Sequence, residues 1–219
     1  MRHPARSRRG ARILGLGLLV VASTAAACTG PEERPGPTTA PAPTSSTTPA
    51  AVEIPEFHLE RSGRAVIRTA AGRIPRRLRR ASDRAADAAR TVLTDLYVEA
   101  FLDPANRQTA SYEDAFAGFA SPARREAAAR PGLLTAGAHA AERFDEVLPR
   151  RGSISTRILL DRRGAPTLVV SVVRFTAVTS GAEPMTLRSR GQFFFERVRG
   201  VWRIVSFHVT RADAPREAA

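Results

Sequence analysis

Lysine is absent: all 34 basic residues are arginine. Codon choice in a GC-rich genome accounts for that. Cysteine occurs once, at Cys28, which excludes an internal disulfide framework and a Cys-rich zinc site. No stretch reaches the ~18 consecutive apolar residues of a membrane span. Histidine is scarce and scattered, at His3, His58, His139 and His208, with no carboxylates at metal-ligand spacing. Phosphate loop, nucleophile elbow and dinucleotide fingerprint are all missing. No cofactor is expected. What is present is a chain of 219 residues with a net charge of +13, an ordinary length for one domain.

The first 27 residues read as a targeting segment. Arg2, Arg6, Arg8, Arg9 and Arg12 come with no acid, an apolar stretch runs from Ile13 to Ala22, and small residues continue to Ala27. This is the layout of a secretory signal. Ser7-Arg8-Arg9 resembles the start of a twin-arginine export signal, although Ala11 stands where an aromatic is expected. Ala25-Ala26-Ala27-Cys28 resembles a bacterial lipobox, with Ala25 in place of the usual leucine. In such proteins the Cys sulfur carries diacylglycerol and the Cys becomes the new N-terminus. Several acyl chains anchor firmly where one is marginal. The segment therefore predicts a lipid attachment at Cys28 and a location on the extracytoplasmic face of the cell membrane. Its removal leaves 29 arginines against 21 acids, a net +8. That surplus favours acidic headgroups or anionic wall polymers. An exported chain without a nucleic-acid motif is not expected to bind nucleic acid.

Residues 29–52 hold six Pro and eight Ser or Thr. Such a composition cannot offset its ordering entropy by burial. Residues 28–52 are thus predicted to be a disordered tether with Cys28 at its head, and 24 residues of extended chain reach ~70 Å. Over 53–79 the alternation of Phe57 and Leu59 with polar neighbours, the Ser62-Gly63 pair and the return Ala65-Val66-Ile67 predict a hairpin. An arginine-rich lead-in follows, a solvated approach to a helix or a contact patch.

The folded domain is expected over 80–213, before a disordered tail at 214–219. Ser82 is a candidate N-cap for a helix carrying Ala89, Val92, Leu93, Leu96, Ala100 and Phe101 on one side. Asp103-Pro104 should end it. Ser111 with Asp114 suggests a capping box, Ser121-Pro122 a further helix start, and Leu133 to Glu142 another short helix. Four β-rich segments come next, at 154–160, 167–178, 185–197 and 201–210, separated by short turns. Helices first and a strand meander afterwards predict an α+β domain, N-terminal helices packed on a four-stranded antiparallel sheet.

That element order, closing on Val201-Trp202-Arg203-Ile204-Val205-Ser206-Phe207, resembles the nuclear transport factor two-like (cystatin-like) cone. In that family helices lie in the hollow of a curved sheet. The chain is similar in particular to actinobacterial exported proteins of the mammalian-cell-entry-associated type, over residues 80–211. It differs in having a lipid-anchor signal and a long tether where those proteins have a spanning helix. The resemblance implies assistance to membrane-associated transport or wall assembly, and pairing of two copies through the sheet. It also has enzyme relatives of isomerase or dehydratase type, which place an Asp or Asp–His pair and Tyr donors inside the cone.

The residues for such chemistry would be Asp95, Tyr97, Glu99, Tyr112 and His208, of which Tyr97, Tyr112 and His208 are the candidate pocket-lining side chains. The plainer reading makes Tyr97 a core residue with a solvated hydroxyl and Asp95 and Glu99 solvated helix charges. Three functions compete: a non-catalytic binding or assembly module with a cell-envelope partner, a carrier of a small apolar ligand or lipid, and an enzyme. An interior filled by Leu96, Phe101, Phe193 and Phe195 would eliminate the enzyme, and the first reading is favoured because a tether and a filled domain require no chemistry.

Overall fold

A computed structural model describes residues 54–69 and 74–216, which fall in one compact unit. The leader, Cys28 and the tether lie outside the described residues. Two short strands come first, β1 (Glu60–Arg61) and β2 (Val66–Arg68), followed by the long helix α1 (Arg76–Tyr97). α1 passes into a π-helical turn, Val98–Leu102. Short helices follow: α2 (Pro104–Thr109), a 3-10 turn at Asp114–Phe116, α3 (Ser121–Ala129), α4 (Pro131–Leu134) and α5 (Ala140–Arg143). The sheet then runs through β3 (Glu146–Leu160), β4 (Pro166–Ser180), β5 (Met185–Val198), β6 (Val201–Arg211) and the two-residue β7 (Ala214–Pro215).

The fold is α+β with a mixed, open sheet in the order β1-β3-β4-β5-β6; β2 also pairs with β3, and β7 with β5. The four long strands form an antiparallel meander. The expected hairpin at 53–79 is corrected. β1 and β2 do not pair with each other; both lie parallel to β3, Glu60 opposite Ser153 and Val66 opposite Arg157. Ser62-Gly63 interrupts one edge lane rather than reversing it, with Ser62 N–H donating to Ile154 O. Parallel neighbours need a long crossover, and here α1 and the short helices supply it. The tail is corrected too, since Ala214 and Pro215 pair with Thr186 and Met185.

Ser82 does not cap α1. The helix begins at Arg76 with Pro75 as its N-cap, and Ser82 is buried inside it, its hydroxyl donating to Leu78 O at 2.9 Å. The arginine lead-in is therefore the first turn of the helix itself. Pro75, at φ −60° and ψ 151°, has no N–H to leave unpaired, and the helix starts there without a side-chain cap. Asp103 performs the expected break, capping α2 by accepting from Ala105 N–H at 2.8 Å. The single helix expected over 133–142 is two short ones, because Gly137 adopts a φ of 104° between them. Glu113 precedes the 3-10 turn at 114–116 with no side-chain cap, so the Ser111–Asp114 capping box does not form.

The buried side of α1 repeats at helical spacing, Ala85, Ala86, Ala89, Leu93, Leu96 and Tyr97, and covers one face of the sheet. Opposite neighbours across antiparallel strands share a face. The inner face carries the rows Ile158–Val169–Phe195–Ile204, Thr156–Ser171–Phe193–Phe207 and Gly152–Phe175–Ser189–Arg211. Gly152 has no Cβ because Phe57 occupies that space; an added carbon would sit 2.4 Å from the Phe57 ring. Bulges at Arg150 and Val205 shift the register of β3 and β6, which bends and twists the sheet there.

Candidate functional site

The interior does not gather the residues the sequence suggests. Leu96, Phe101, Phe193 and Phe195 are all buried in one hydrophobic cluster. Tyr97 is buried with them, its ring 5.6 Å from Phe101 and 4.9 Å from Phe175. Its hydroxyl lies 3.1 Å from Ser189 Oγ. Burial pushes the phenol up to about 12, so it is a neutral hydrogen-bonding group at physiological pH. Asp95 is exposed on α1, and partial desolvation pushes its carboxyl up. Glu99 accepts from Asn106 Nδ2 at 2.8 Å.

A polar seam closes the end of the layer beyond Tyr97. Tyr112 donates its hydroxyl to Gly137 O at 2.9 Å, and burial raises its pKa. Arg107 is buried and donates to Phe101 O and Leu102 O at 3.0 and 2.8 Å. It thus satisfies carbonyls of the π-helical turn that no helix continues past. Burial pushes that guanidinium down. Arg211 lies 5.2 Å above the Phe101 ring, donates to Gly132 O and Thr135 O, and pairs with Asp213. Each of these groups has a protein partner, and the seam's chemistry is that of a plug.

His208 stands on the other side of the sheet. Its row is Ser155–Val172–Gln192–His208, flanked by Ser153–Arg174–Arg190–Thr210 and Arg151–Thr176–Arg188. A fourth row, Arg157–Val170–Phe194–Ser206, continues the surface. Five arginines and His208 share this face with half-buried Val170, Val172 and Phe194, and no acid lies in these rows. Two adjoining depressions of about 300 and 210 Å³ open here, sharing Arg190 and Thr210. Arg174 and Arg190 stand directly opposite each other, a like-charge pair that costs stability unless an anion lies between them. Among the described residues none of the five arginines enters an ion pair.

This arginine face is the candidate functional surface, and the sequence reading misses it. The signal is visible: Arg188-Ser189-Arg190 in a strand puts both arginines on one face and Ser189 on the other. Of the predicted pocket residues, the structure brings both Tyr97 and Tyr112 within electrostatic reach of Arg211 and places His208 in the outer-face row with Gln192. Among the described residues no group of His, Cys, Asp and Glu could hold a metal ion, and no helix is long and apolar enough to cross a membrane. Comparison with protein-family models, with curated proteins and with solved structures finds no match to this chain.

Proposed function

We propose that this chain is an exported lipoprotein, anchored through Cys28 to the extracytoplasmic face of the membrane. Its domain is a non-catalytic binding or assembly module of the cell envelope. The domain is read as a nuclear transport factor two-like cone, on the strength of a long first helix, short helices and a bulged four-strand meander in that order. The observation that carries the functional reading is the contrast across the sheet. The side where cone enzymes hold substrate is filled by Leu96, Phe101, Phe193 and Phe195, while the rows around Arg174 and Arg190 on the opposite side expose arginines with no acid among them.

A filled interior also speaks against a carrier of apolar ligands. The arginine face favours an acidic envelope partner over a second copy of the same face, because two copies would oppose like charges. Photocrosslinking in living cells tests this. A photoreactive residue in place of Gln192 should capture a discrete envelope protein, and one in place of exposed Thr91 on α1 should not. Adducts at Thr91 alone, or only adducts between two copies, would overturn the assignment of the outer face.

A further inference from the structure

One end of the sheet collects three turns of the chain. The register places the β3–β4 turn beside the β5–β6 turn, since Val169 lies opposite Phe195. β2 ends there as well, with Arg68 opposite Leu159. The start of α1 joins them: an added carbon at Gly164, in the β3–β4 turn, would sit 2.4 Å from the Leu78 side chain.

This end is rich in arginine. Arg162 and Arg163 occupy one turn, Arg197 and Arg199 flank the other, and Arg76, Arg77, Arg79 and Arg80 open α1. All eight are exposed, and none forms an ion pair among the described residues. No acid stands in the first turn of α1, so its cations face the positive end of the helix dipole.

Aliphatic side chains stand among these charges. Of the six large hydrophobic residues exposed among the described residues, four are here: Val66, Leu159, Val198 and Val201, the last 52% exposed. Asp161, beside Arg162, and Glu196, beside Arg197, are the acids in the two turn segments, set against the eight arginines. The opposite end of the sheet is more acidic. Around the β4–β5 turn lie Glu142, Asp145, Glu146 and Glu183, with Arg143 paired to Glu183 at 2.7 Å.

We infer that this turn-bearing end docks on an anionic lipid bilayer. The arginines meet headgroup phosphates, and Val198 and Val201 enter the boundary between headgroups and acyl chains. Charge complementarity supplies the attraction. The exposed valines select a bilayer over a soluble polyanion, because only the bilayer offers them an apolar phase. The inference rests on the proposed anchor only for why a membrane lies within reach. Seated this way, the strands stand off the membrane and the arginine face of the sheet is presented sideways.

The test uses the full chain with Cys28→Ala, which removes both the acylation site and the only thiol. Val201→Cys then carries a polarity-sensitive dye, and a second protein carries the dye at Ala182→Cys on the opposite end. Phosphatidylglycerol-containing vesicles should shift the Val201 dye to the blue and leave the Ala182 dye unchanged; pure phosphatidylcholine should shift neither. Replacing Arg162, Arg163, Arg197 and Arg199 by Gln should raise the lipid needed roughly tenfold or more. Replacing Arg151, Arg174, Arg188 and Arg190 by Gln removes the same charge elsewhere and should change it little. Circular dichroism confirms that each variant is folded.

No blue shift on anionic vesicles, equal shifts at both ends, equal losses in both arginine variants, or a shift produced by polyglutamate instead of vesicles would overturn the inference. The vesicle assay lacks the acyl anchor, so its failure is distinct from a failure of lipid attachment at Cys28.

Discussion

The two faces of the sheet are written by the same strands, one residue apart. Ser189 and Phe193 face α1; Arg188, Arg190 and Gln192 face outward. Inside, hydroxyls pair with one another: Tyr97 meets Ser189, and Thr156 Oγ1 lies 3.3 Å from Ser171 Oγ; Arg90 Nε, on α1, is the buried side-chain atom left without a partner among the described residues. Outside, arginines oppose one another across β4 and β5 with no acid between them. Selection for a stable fold explains the first pattern and works against the second. A strand pair with Arg174 opposite Arg190 carries a like-charge cost that an anionic partner would relieve.

Substitutions on the two faces should therefore separate stability from binding. The largest loss is expected from Phe193→Ala. The residue is fully buried, and removing a buried phenylalanine ring costs ~3–5 kcal/mol. Chemical denaturation measures it; a loss under 1 kcal/mol would show that the interior is not packed as described.

The next effect depends on pH. Tyr97 holds its proton more tightly folded than unfolded, with a folded pKa of about 12 against an ordinary 10.0. Its contribution is intact below pH ~10 and is lost as pH rises toward 12, a fall of about 3 kcal/mol. Tyr97→Phe should remove that part of the alkaline slope in denaturation curves taken across this window. An unchanged slope would mean the hydroxyl reaches solvent.

Ser189→Ala strips Tyr97 of the hydroxyl beside it and should cost ~1–3 kcal/mol, because a buried phenol is left without a partner. The Ser189 substitution made in a Tyr97→Phe background should cost much less, and the double-mutant cycle reads the difference.

The smallest stability change belongs to the outer face. Arg174→Gln with Arg190→Gln should leave stability within ~0.5 kcal/mol or raise it, while abolishing the crosslink from Gln192. Destabilisation by more than 1 kcal/mol would make these arginines structural and erase the contrast.

Much of this was legible in the residues. The four β-rich runs, the Asp103-Pro104 break and the apolar side of α1 follow from local chemistry that tertiary contacts do not override. The edge lane was not: Phe57 and Leu59 alternate as any strand does, and only the crossover of α1 shows that β1 and β2 lie parallel to β3. Ser82 misled because a serine near the start of a helical pattern reads as a cap, whereas Pro75 begins the helix earlier and Ser82 bonds back to Leu78. Of the candidate site, Tyr97 is a candidate pocket-lining residue with a core residue as the plainer reading; it is buried in the core, and its hydroxyl meets Ser189 rather than solvent. His208 drew attention as a lone histidine, while the arginines around it became a surface only once the register sorted them onto one face.

Lipid attachment at Cys28 is the claim that brings both arginine surfaces within reach of a membrane. Mass spectrometry of the mature protein recovered from cells tests it most directly. The expected result is an N-terminal peptide that begins at Cys28 and carries the mass of a diacylglycerol, in protein from the membrane fraction, with the Cys28→Ala protein moving to the soluble fraction. A soluble protein retaining residues 1–27, with an unmodified Cys28, would contradict it.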